Sequence, residues 1–346
     1  MSETQPLETK PWEAAVKLIH RSNTILLICH VSPDGDAVGS LLGLGLGLRL
    51  LNKELTLACE STLPTKFSFL PGYESIVRSI DSAPPDLVIG LDSSDLSRLG
   101  NVYDANRLAG APLINIDHHV TNLYFGDVNL VDPSAASTAE MILTLLDYLG
   151  IAIDQNREAS QVQEIATCLL TGMVTDTLGF RTSNVTPRVM KAAVRLMEAG
   201  ASLSQVTHFA FHQRTLMELS LLAYGLNRLQ AEDGLAWSEI LLADHRVYGH
   251  PDNGDAGLVG MLVRTKEVHM AAVFTENEHN QIEISFRADP GFDVAQLALS
   301  LGGGGHPAAS GCTVEGPLEA AKARVLPLMR AALEEQRSSK GAWILR

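Results

Sequence analysis

The first half of the chain alternates short apolar runs with segments of helical period. Four runs have the length and composition of buried strands and are bounded by turn residues: 24–30 (TILLICH), 55–59 (LTLAC), 86–92 (DLVIGLD) and 112–119 (PLINIDHH). Helices are predicted at 12–21, 40–52, 137–150, 163–177 and 186–202, and small residues in 40–52 would allow close packing on a sheet. Strands that alternate with helices predict an α/β fold with a parallel sheet covered on both faces.

The second half has a different order of elements. Residues 203–230 are mostly helical, and strands are predicted at 235–242, 268–276 and 281–287. A helix (292–301), a glycine loop (302–311, GGGGHPAASG) and a helix (318–336) follow. We therefore predict an α/β domain with a parallel sheet (1–195), a helical linker (196–220) and a smaller C-terminal α/β domain (221–346).

Composition agrees with an α/β protein of the cytoplasm. Of 346 residues, 46% are hydrophobic, and the longest apolar stretch, 41–51, is too short to cross a membrane. The polar, acidic start (MSETQPLETK) lacks the pattern of a secretory signal. The four cysteines have no paired spacing, which favours reduced thiols. We expect a cytoplasmic protein without a membrane partner.

The charge balance limits the class of substrate. Asp and Glu number 40 against 26 Lys and Arg, a net charge of −14. Proteins that bind long duplex nucleic acid carry basic surfaces, so long duplexes are poor candidates. A small anion can still bind where metal ions or local arginines supply positive charge.

Three strand-like runs end in aspartate or histidine, and a fourth aspartate follows a helical run. Ligands of parallel α/β sheets bind beyond the carboxyl ends of the strands, so these side chains should meet in one place. The candidates are His30, Asp34 and Asp36; Asp92; Asp117, His118 and His119; and Asp176.

Carboxylate and imidazole ligands without sulfur favour Mn²⁺ or Mg²⁺, and Zn²⁺ or Co²⁺ also fits. The candidates outnumber the ligands that one octahedral ion needs, which predicts two ions sharing a bridging aspartate. Such a pair suits phosphoryl displacement.

The pattern His30-x-x-x-Asp34-x-Asp36, Asp92, Asp117-His118-His119 and Asp176 resembles the four motifs of the DHH phosphoesterases. The second half resembles their DHH-associated C-terminal domain, through 302–311 and the sequence SFR at 285–287. Size and C-terminal domain are most similar to the bacterial nano-RNases, which degrade very short RNA and often dephosphorylate 3′-phosphoadenosine 5′-phosphate.

The resemblance implies a role for each motif residue. His30 and Asp34 would bind one Mn²⁺ (Mg²⁺ or Co²⁺ also fits), Asp92 would bridge, and Asp36, His118 and Asp176 would complete the second ion's site. Asp117 would orient the histidines, and His119 would face the substrate phosphate as a proton donor. The active site would lie in the cleft between the domains, and a homodimer is also implied.

Substrate contacts are predicted from both domains. By the same resemblance, His306 would reach the far end of the substrate, and the backbone of Gly304 and Gly305 would approach a phosphate. The other candidate contacts are Arg287, Arg264, Arg181 and Ser134. Arg98 and Arg181 lie near metal motifs in sequence, and each fits a phosphate contact or a structural ion pair equally well. Asp95 is predicted to cap a helix, and Ser137 with Glu140 fits a capping box.

These features predict a two-metal phosphoesterase that hydrolyses oligoribonucleotides of about two to five nucleotides, because the modest basic content suits a short strand. Hydrolysis of 3′-phosphoadenosine 5′-phosphate to AMP is also expected. A phosphodiesterase for cyclic or linear dinucleotides is the main alternative. A pyrophosphatase or polyphosphatase, and a non-catalytic nucleotide-binding regulator, are less favoured.

Overall fold

A computed structural model of the chain describes residues 9–80, 83–104, 108, 110–154, 159–212, 215–248 and 254–344. The chain divides into two compact units, Met1–Gln213 and Arg214–Arg346. Each unit contains one sheet.

The first unit is built on a sheet whose strands are all parallel. Its strands are β1 (Thr24–Cys29), β2 (Glu54–Ala58), β3 (Ile76–Val77), β4 (Leu87–Leu91), β5 (Leu113–Asp117) and β6 (Val128–Val131), in the order β3-β2-β1-β4-β5-β6. The order reverses between β1 and β4, and such a switch point opens a crevice at the carboxyl ends of the strands. The predicted parallel α/β sheet is confirmed.

Helices cover this sheet. They are α1 (Thr9–Arg21), α2 (Gly35–Arg49), α3 (Thr138–Tyr148), α4 (Ala159–Asp176), α5 (Pro187–Glu198) and α6 (Leu203–Thr207). A π-helical turn (His208–His212) follows α6, and short 3₁₀ segments lie at Thr65–Phe67, Tyr73–Ser75 and Leu96–Val102. Apolar side chains of α1 to α6 and of one face of the strands form the larger core. The other face of the strands packs in a separate, smaller cluster, which includes Leu26, Val88 and Leu99 of the 3₁₀ segment.

The small residues of α2 pack mainly on another helix, which corrects the expectation that they serve packing on the sheet. A Cβ at Gly39 would lie 2.4 Å from the carbonyl oxygen of Cys168 in α4. A Cβ at Gly35 or Gly43 would also collide with α4, whereas Gly45 faces β2. The glycines therefore allow α2 and α4 to approach each other closely.

The second unit has a mixed sheet. Its elements are α7 (Leu216–Asn227), β7 (Gln230–Glu232), β8 (Leu235–Ile240), α8 (Leu242–Tyr248), α9 (Leu258–Leu262), β9 (Met270–Glu276), β10 (Gln281–Ala288), α10 (Ala295–Ser300), β11 (Gly304–His306), β12 (Ala309–Glu315) and α11 (Leu318–Ile344). The strand order is β11-β12-β10-β9-β8-β7, and within the described part of this sheet only β8 and β9 pair in parallel.

The predicted glycine loop at 302–311 is wrong in part, because residues 304–311 belong to a β-hairpin made by β11 and β12. Gly305 pairs with Ser310 at a φ of 137°, a conformation that favours glycine. A Cβ on Gly305 would lie 2.5 Å from the Ala309 carbonyl oxygen. Glycine is depleted in strands, so the sequence pattern indicated a loop.

No helix in the described ranges is both long enough and apolar enough to span a bilayer.

Candidate active site and metal centre

Three neighbouring strands deliver most of the candidate ligands to one edge of the first sheet. His30 directly follows β1, Asp92 directly follows β4, and Asp117 ends β5. Because β4 lies between β1 and β5, the three strand ends are adjacent. Asp34 and Asp36 stand at the start of α2, and Asp176 ends α4.

The first group of ligands is His30, Asp34 and Asp92, which offer one ligand atom each within 4.8 Å of one another. His30 Nε2 lies 3.5 Å from Asp92 Oδ2. His30 Nδ1 lies 2.7 Å from the Val31 carbonyl oxygen and 3.0 Å from Arg98 Nη2, and Nε2 is the ring nitrogen on the side of Asp92. One oxygen of Asp34 accepts hydrogen bonds from the first backbone N–H groups of α2, and exposure leaves the other accessible.

The second group is Asp36, Asp92 and His118, within the same 4.8 Å limit. His118 Nε2 lies 3.7 Å from Asp92 Oδ1 and 3.3 Å from Asp176 Oδ2. His118 Nδ1 faces the carbonyl oxygen of Ala135 at 3.3 Å. Asp92 thus belongs to both groups and directs one oxygen to each.

Asp92 is held by its backbone and by a hydroxyl group. It is buried, and its φ of 56° lies in the left-handed region, which is strained for most residues with a side chain. Thr138 Oγ1 donates to Asp92 Oδ1 at 2.9 Å. Burial raises the pKa of Asp92, but the hydrogen bond from His30 and the charges of the three histidines outweigh it and lower the pKa overall.

The donor set fits divalent cations. Ligand atoms about 2.1 Å from an octahedral ion lie about 3 Å apart, close to the 3.3 to 3.7 Å between these donors. Burial raises the pKa of Asp36 well above its usual value and that of Asp176 to about 7, and neighbouring carboxylates add to both shifts. Cations between the carboxylates would offset this repulsion.

Asp36 also connects α2 to the start of α3. Its two oxygens accept hydrogen bonds from the backbone N–H groups of Thr138, at 2.6 Å, and Ala139, at 3.0 Å. A Cβ on Gly172 of α4 would lie 2.5 Å from Asp36 Oδ1 and 2.6 Å from the Ala139 Cβ. A side chain larger than that of glycine at position 172 would therefore collide with the Asp36 carboxylate where it lies between the helices. A carboxylate accepts about four hydrogen bonds, so lone pairs remain for a cation.

His119 and Asp117 form a hydrogen-bonded pair. His119 Nδ1 lies 2.6 Å from Asp117 Oδ1, shorter than the ligand spacing above, so the pair is hydrogen-bonded and does not share an ion. Burial lowers the pKa of His119, but the hydrogen bond to Asp117 and the charge of Asp92 raise it overall to about 9. A protonated His119 donates from Nδ1 to Asp117 and keeps a proton on Nε2.

The arginines that were ambiguous in sequence differ in their contacts. Arg98 is half-buried, its Nη2 lies 3.0 Å from His30 Nδ1, and no carboxylate within the described ranges is at ion-pair distance. Arg181 is exposed and donates from Nε to the Leu178 carbonyl oxygen at 2.6 Å. With the residues that the structure describes, neither forms the structural ion pair considered above.

The polar residues predicted as caps adopt that role. The Asp95 carboxylate accepts from the backbone N–H groups of Ser97 and Arg98 at the start of a 3₁₀ segment. Ser137 caps α3, but the Glu140 carboxylate accepts from Ala136 N and not from Ser137 N, so the capping box is incomplete. Ser134 is exposed and donates to Asp132 Oδ1 at 2.5 Å, a contact within its own turn.

The remaining candidates lie in the second unit. Gly304, Gly305 and His306 form β11, and a Cβ on Gly304 would meet no atom within 4 Å. Arg287 in β10 donates to the Phe286 carbonyl oxygen at 2.8 Å, and burial lowers the pKa of its guanidinium. Arg264 is exposed just after α9. Their part in substrate binding stays a prediction.

Two residues that contact the site were not found from the sequence. Thr138 donates to Asp92, and the Asn122 amide donates to Asp117 Oδ2 at 2.6 Å. The capping pattern at 137–140 marked the start of α3 but gave no sign that its first residue faces a carboxylate 46 positions away.

Two family models match the chain. The model described as "DHH family, N-terminal domain" matches residues 24–173, and the model described as "DHHA1 domain" matches residues 250–335. The first range contains every candidate ligand except Asp176, and the second contains β11 and its histidine.

Full-length relatives and a solved structure are also similar. A bifunctional oligoribonuclease and PAP phosphatase NrnA from Thermus thermophilus is 34% identical over 316 residues, covering 89% of this chain and 90% of the relative. The protein of the same description from Bacillus subtilis is 30% identical, covering 86% and 92%. The crystal structure of an exopolyphosphatase-related protein from Bacteroides fragilis has 25% identity and a TM-score of 0.83, covering 96% of this chain and 98% of that one.

Proposed function

The chain belongs to the DHH family, and on that basis we propose that it is a metal-dependent phosphoesterase that hydrolyses short oligoribonucleotides to mononucleotides and 3′-phosphoadenosine 5′-phosphate to AMP. One observation carries the reaction type: Asp92 is shared by two carboxylate and imidazole groups, the arrangement expected of a two-metal hydrolase. The description of the Thermus thermophilus relative supports the substrate class.

Six side chains would hold two divalent cations. His30 and Asp34 would hold one, Asp36, His118 and Asp176 the other, and Asp92 would bridge them. We propose Mn²⁺, with Mg²⁺ or Co²⁺ also compatible, because the donors are carboxylates and imidazoles. Bound cations of this kind lower the pKa of a coordinated water and neutralise charge on the phosphate oxygens.

His119 would act on the substrate phosphate. Asp117 accepts from Nδ1, and without cations this contact and the charge of Asp92 outweigh burial and raise the pKa of the imidazole to about 9. When protonated, Nε2 would donate to a phosphate oxygen or to the departing oxygen. Arg98, without an ion-pair partner in the described part of the chain, would add a second positive charge.

Recognition of the nucleotide is assigned to the second unit. His306 would contact the substrate, with Gly304 and Gly305 offering backbone N–H groups and Arg287 and Arg264 offering charge. In the first unit, Arg181 and Ser134 are weaker candidates, since both make contacts within their own turns. The net charge of −14 supports a short substrate over long duplexes.

Two further assignments stay proposals. The cysteines, all free and buried, fit a reducing compartment such as the cytoplasm. Homodimer formation rests on resemblance to the family alone.

The proposed function is tested by product release with Mn²⁺ from a dinucleotide, a five-mer, a twenty-mer, a cyclic dinucleotide and 3′-phosphoadenosine 5′-phosphate. We expect mononucleotides from the two shortest RNAs and phosphate from the bisphosphate. Preference for the cyclic compound would move the protein to the alternative, a cyclic-dinucleotide phosphodiesterase. No hydrolysis of any of these by metal-loaded protein would contradict the proposal.

His306→Ala is expected to weaken hydrolysis of the dinucleotide at least about tenfold, or about 1.4 kcal/mol, because the nucleotide loses a contact with the second unit. Hydrolysis of a generic phosphodiester, bis(p-nitrophenyl) phosphate, should change less than about threefold, because it has no nucleotide to recognise. The matched control is His279→Ala, an exposed histidine between β9 and β10. Equal losses on both substrates would remove His306 from recognition.

A further inference from the structure

The side chain of Asn122 is buried behind His119 and uses its whole hydrogen-bonding capacity. It is 8% exposed and lies three residues beyond His119. Nδ2 donates to Asp117 Oδ2 at 2.6 Å and to the Ser93 carbonyl oxygen at 3.1 Å. Oδ1 accepts from the Tyr124 backbone N–H at 2.7 Å and from Asn115 Nδ2 at 3.1 Å.

Two of these partners fix the orientation of the amide. The Tyr124 backbone N–H can only donate, so the atom facing it must be the oxygen. The Ser93 carbonyl can only accept, so the atom facing it must be the nitrogen. The amide therefore presents an N–H to Asp117.

Asp117 depends on this N–H for its own orientation. Its side chain is fully buried, Oδ1 faces His119 Nδ1 at 2.6 Å, and Oδ2 accepts from Asn122. Loss of the amide would leave one oxygen of a buried carboxylate without a donor among the described residues, and such a group is costly. Rotation of the carboxylate to find a donor would move Oδ1 away from His119.

We propose that Asn122 is a positioning residue for His119, acting through Asp117. It holds the carboxylate in the orientation that accepts from Nδ1, and this fixes the direction of the opposite ring nitrogen, Nε2. The hydrogen bond to Ser93 ties the same amide to the residue after Asp92, so it also fixes the position of His119 relative to Asp92. The effect on turnover rests on the proposed function, whereas the effect on the hydrogen bond does not.

The chain offers a matched control in Asn129. This asparagine belongs to the same set of amides, since its Oδ1 lies 3.5 Å from Asn115 Nδ2. Its close bonds are with the backbone of Gly126, at 2.7 and 3.0 Å, and it does not contact Asp117. Asn129→Ala therefore removes an amide from the network without removing the donor to Asp117.

The kinetic test compares Asn122→Ala, Asn122→Asp and Asn129→Ala with the unaltered protein, using Mn²⁺ and a dinucleotide. We expect Asn122→Ala to lower kcat about 10- to 100-fold, as for other residues that orient a catalytic group, with KM changed less than about threefold. Asn122→Asp should lose more, because it places a second carboxylate against Asp117. Asn129→Ala should keep kcat within about threefold.

The structural test is independent of turnover. In the Mg²⁺-loaded protein, the proton between His119 Nδ1 and Asp117 should give a far-downfield ¹H resonance, assigned by its absence in His119→Asn. We expect Asn122→Ala and Asn122→Asp to shift or lose it and Asn129→Ala to retain it. An unchanged resonance in both Asn122 variants would overturn the proposal, as would equal kcat losses in Asn122→Ala and Asn129→Ala. If the unaltered protein hydrolyses nothing, the proposed function fails, and the resonance still decides the role of Asn122.

Discussion

Replacing Asp92 by Asn or Ala is expected to abolish hydrolysis with every divalent cation, by at least about 10³-fold, while the protein stays folded. Each of the two ligand groups loses its shared carboxylate, and with it charge stabilisation worth several kcal/mol. Activity on the dinucleotide, metal binding by calorimetry and circular dichroism would be measured together.

The Asn variant is the sharper of the two. Asn tolerates the left-handed φ of 56° better than Ala does and keeps an oxygen that accepts from Thr138. The Asn variant therefore removes the negative charge and little else. The control is Asp95→Asn, three residues along, where the carboxylate caps a 3₁₀ segment. This control should keep activity within about threefold. Turnover by Asp92→Asn near the level of the control would contradict a shared ligand.

Removal of divalent cations is expected to make the stability of the protein fall as the pH rises. Without cations, the pKa of Asp176 is raised to about 7 and that of Asp36 is also raised, so the folded state binds protons that the unfolded state releases above about pH 4. The contribution of these two carboxyl groups to the stability of the folded state is complete at low pH and is lost as the pH rises through their folded pKa values. His119, raised to about 9, extends the loss into the alkaline range. The lowered pKa of Asp92 changes the stability of the protein only below about pH 4.

Thermal unfolding with chelator at about pH 5, 7 and 9 would show this fall as a decreasing Tm, by about 2–4 °C for each kcal/mol. With Mn²⁺ or Mg²⁺ the carboxylates have counter-charges, so the gain in Tm on adding metal should grow with pH. Asp176→Asn should flatten the metal-free profile between about pH 4 and 7. A Tm gain that is the same at each pH would contradict the placement of cations among these carboxylates.

The main strands and their ligands could be predicted because each leaves a local signal. β1, β4 and β5 are buried apolar runs, and a polar residue directly after such a run is conspicuous in the sequence. The rule that parallel strands end at one edge then brings His30, Asp92 and Asp117 together without further information.

Other elements leave no such signal. β3 has two residues, and the three residues of β7 are all exposed, so neither shows a period. β6, α8 and α9 are also short and were not predicted. The β11–β12 hairpin is rich in glycine, and β12 also pairs with β10, which precedes the hairpin in the sequence.

The contacts of Asn122 and Thr138 could not be predicted for a different reason. A single asparagine or threonine in a loop or at a helix start is ordinary, and its meaning depends on which carboxylate the fold places beside it. Similarly, Arg98 gave two equal interpretations until the absence of an ion-pair partner among the described residues separated them.

The carboxylate of Asp36 accepts from backbone donors 102 and 103 positions later in the chain. Contacts of such long sequence separation form slowly, because a large loop must close before they are made. During synthesis from the N-terminus, Asp36 therefore has none of these donors until residue 139 has left the ribosome, and the second group of ligands waits for Asp176. The Asp36 carboxylate therefore stays without these two donors through more than a hundred residues of chain growth.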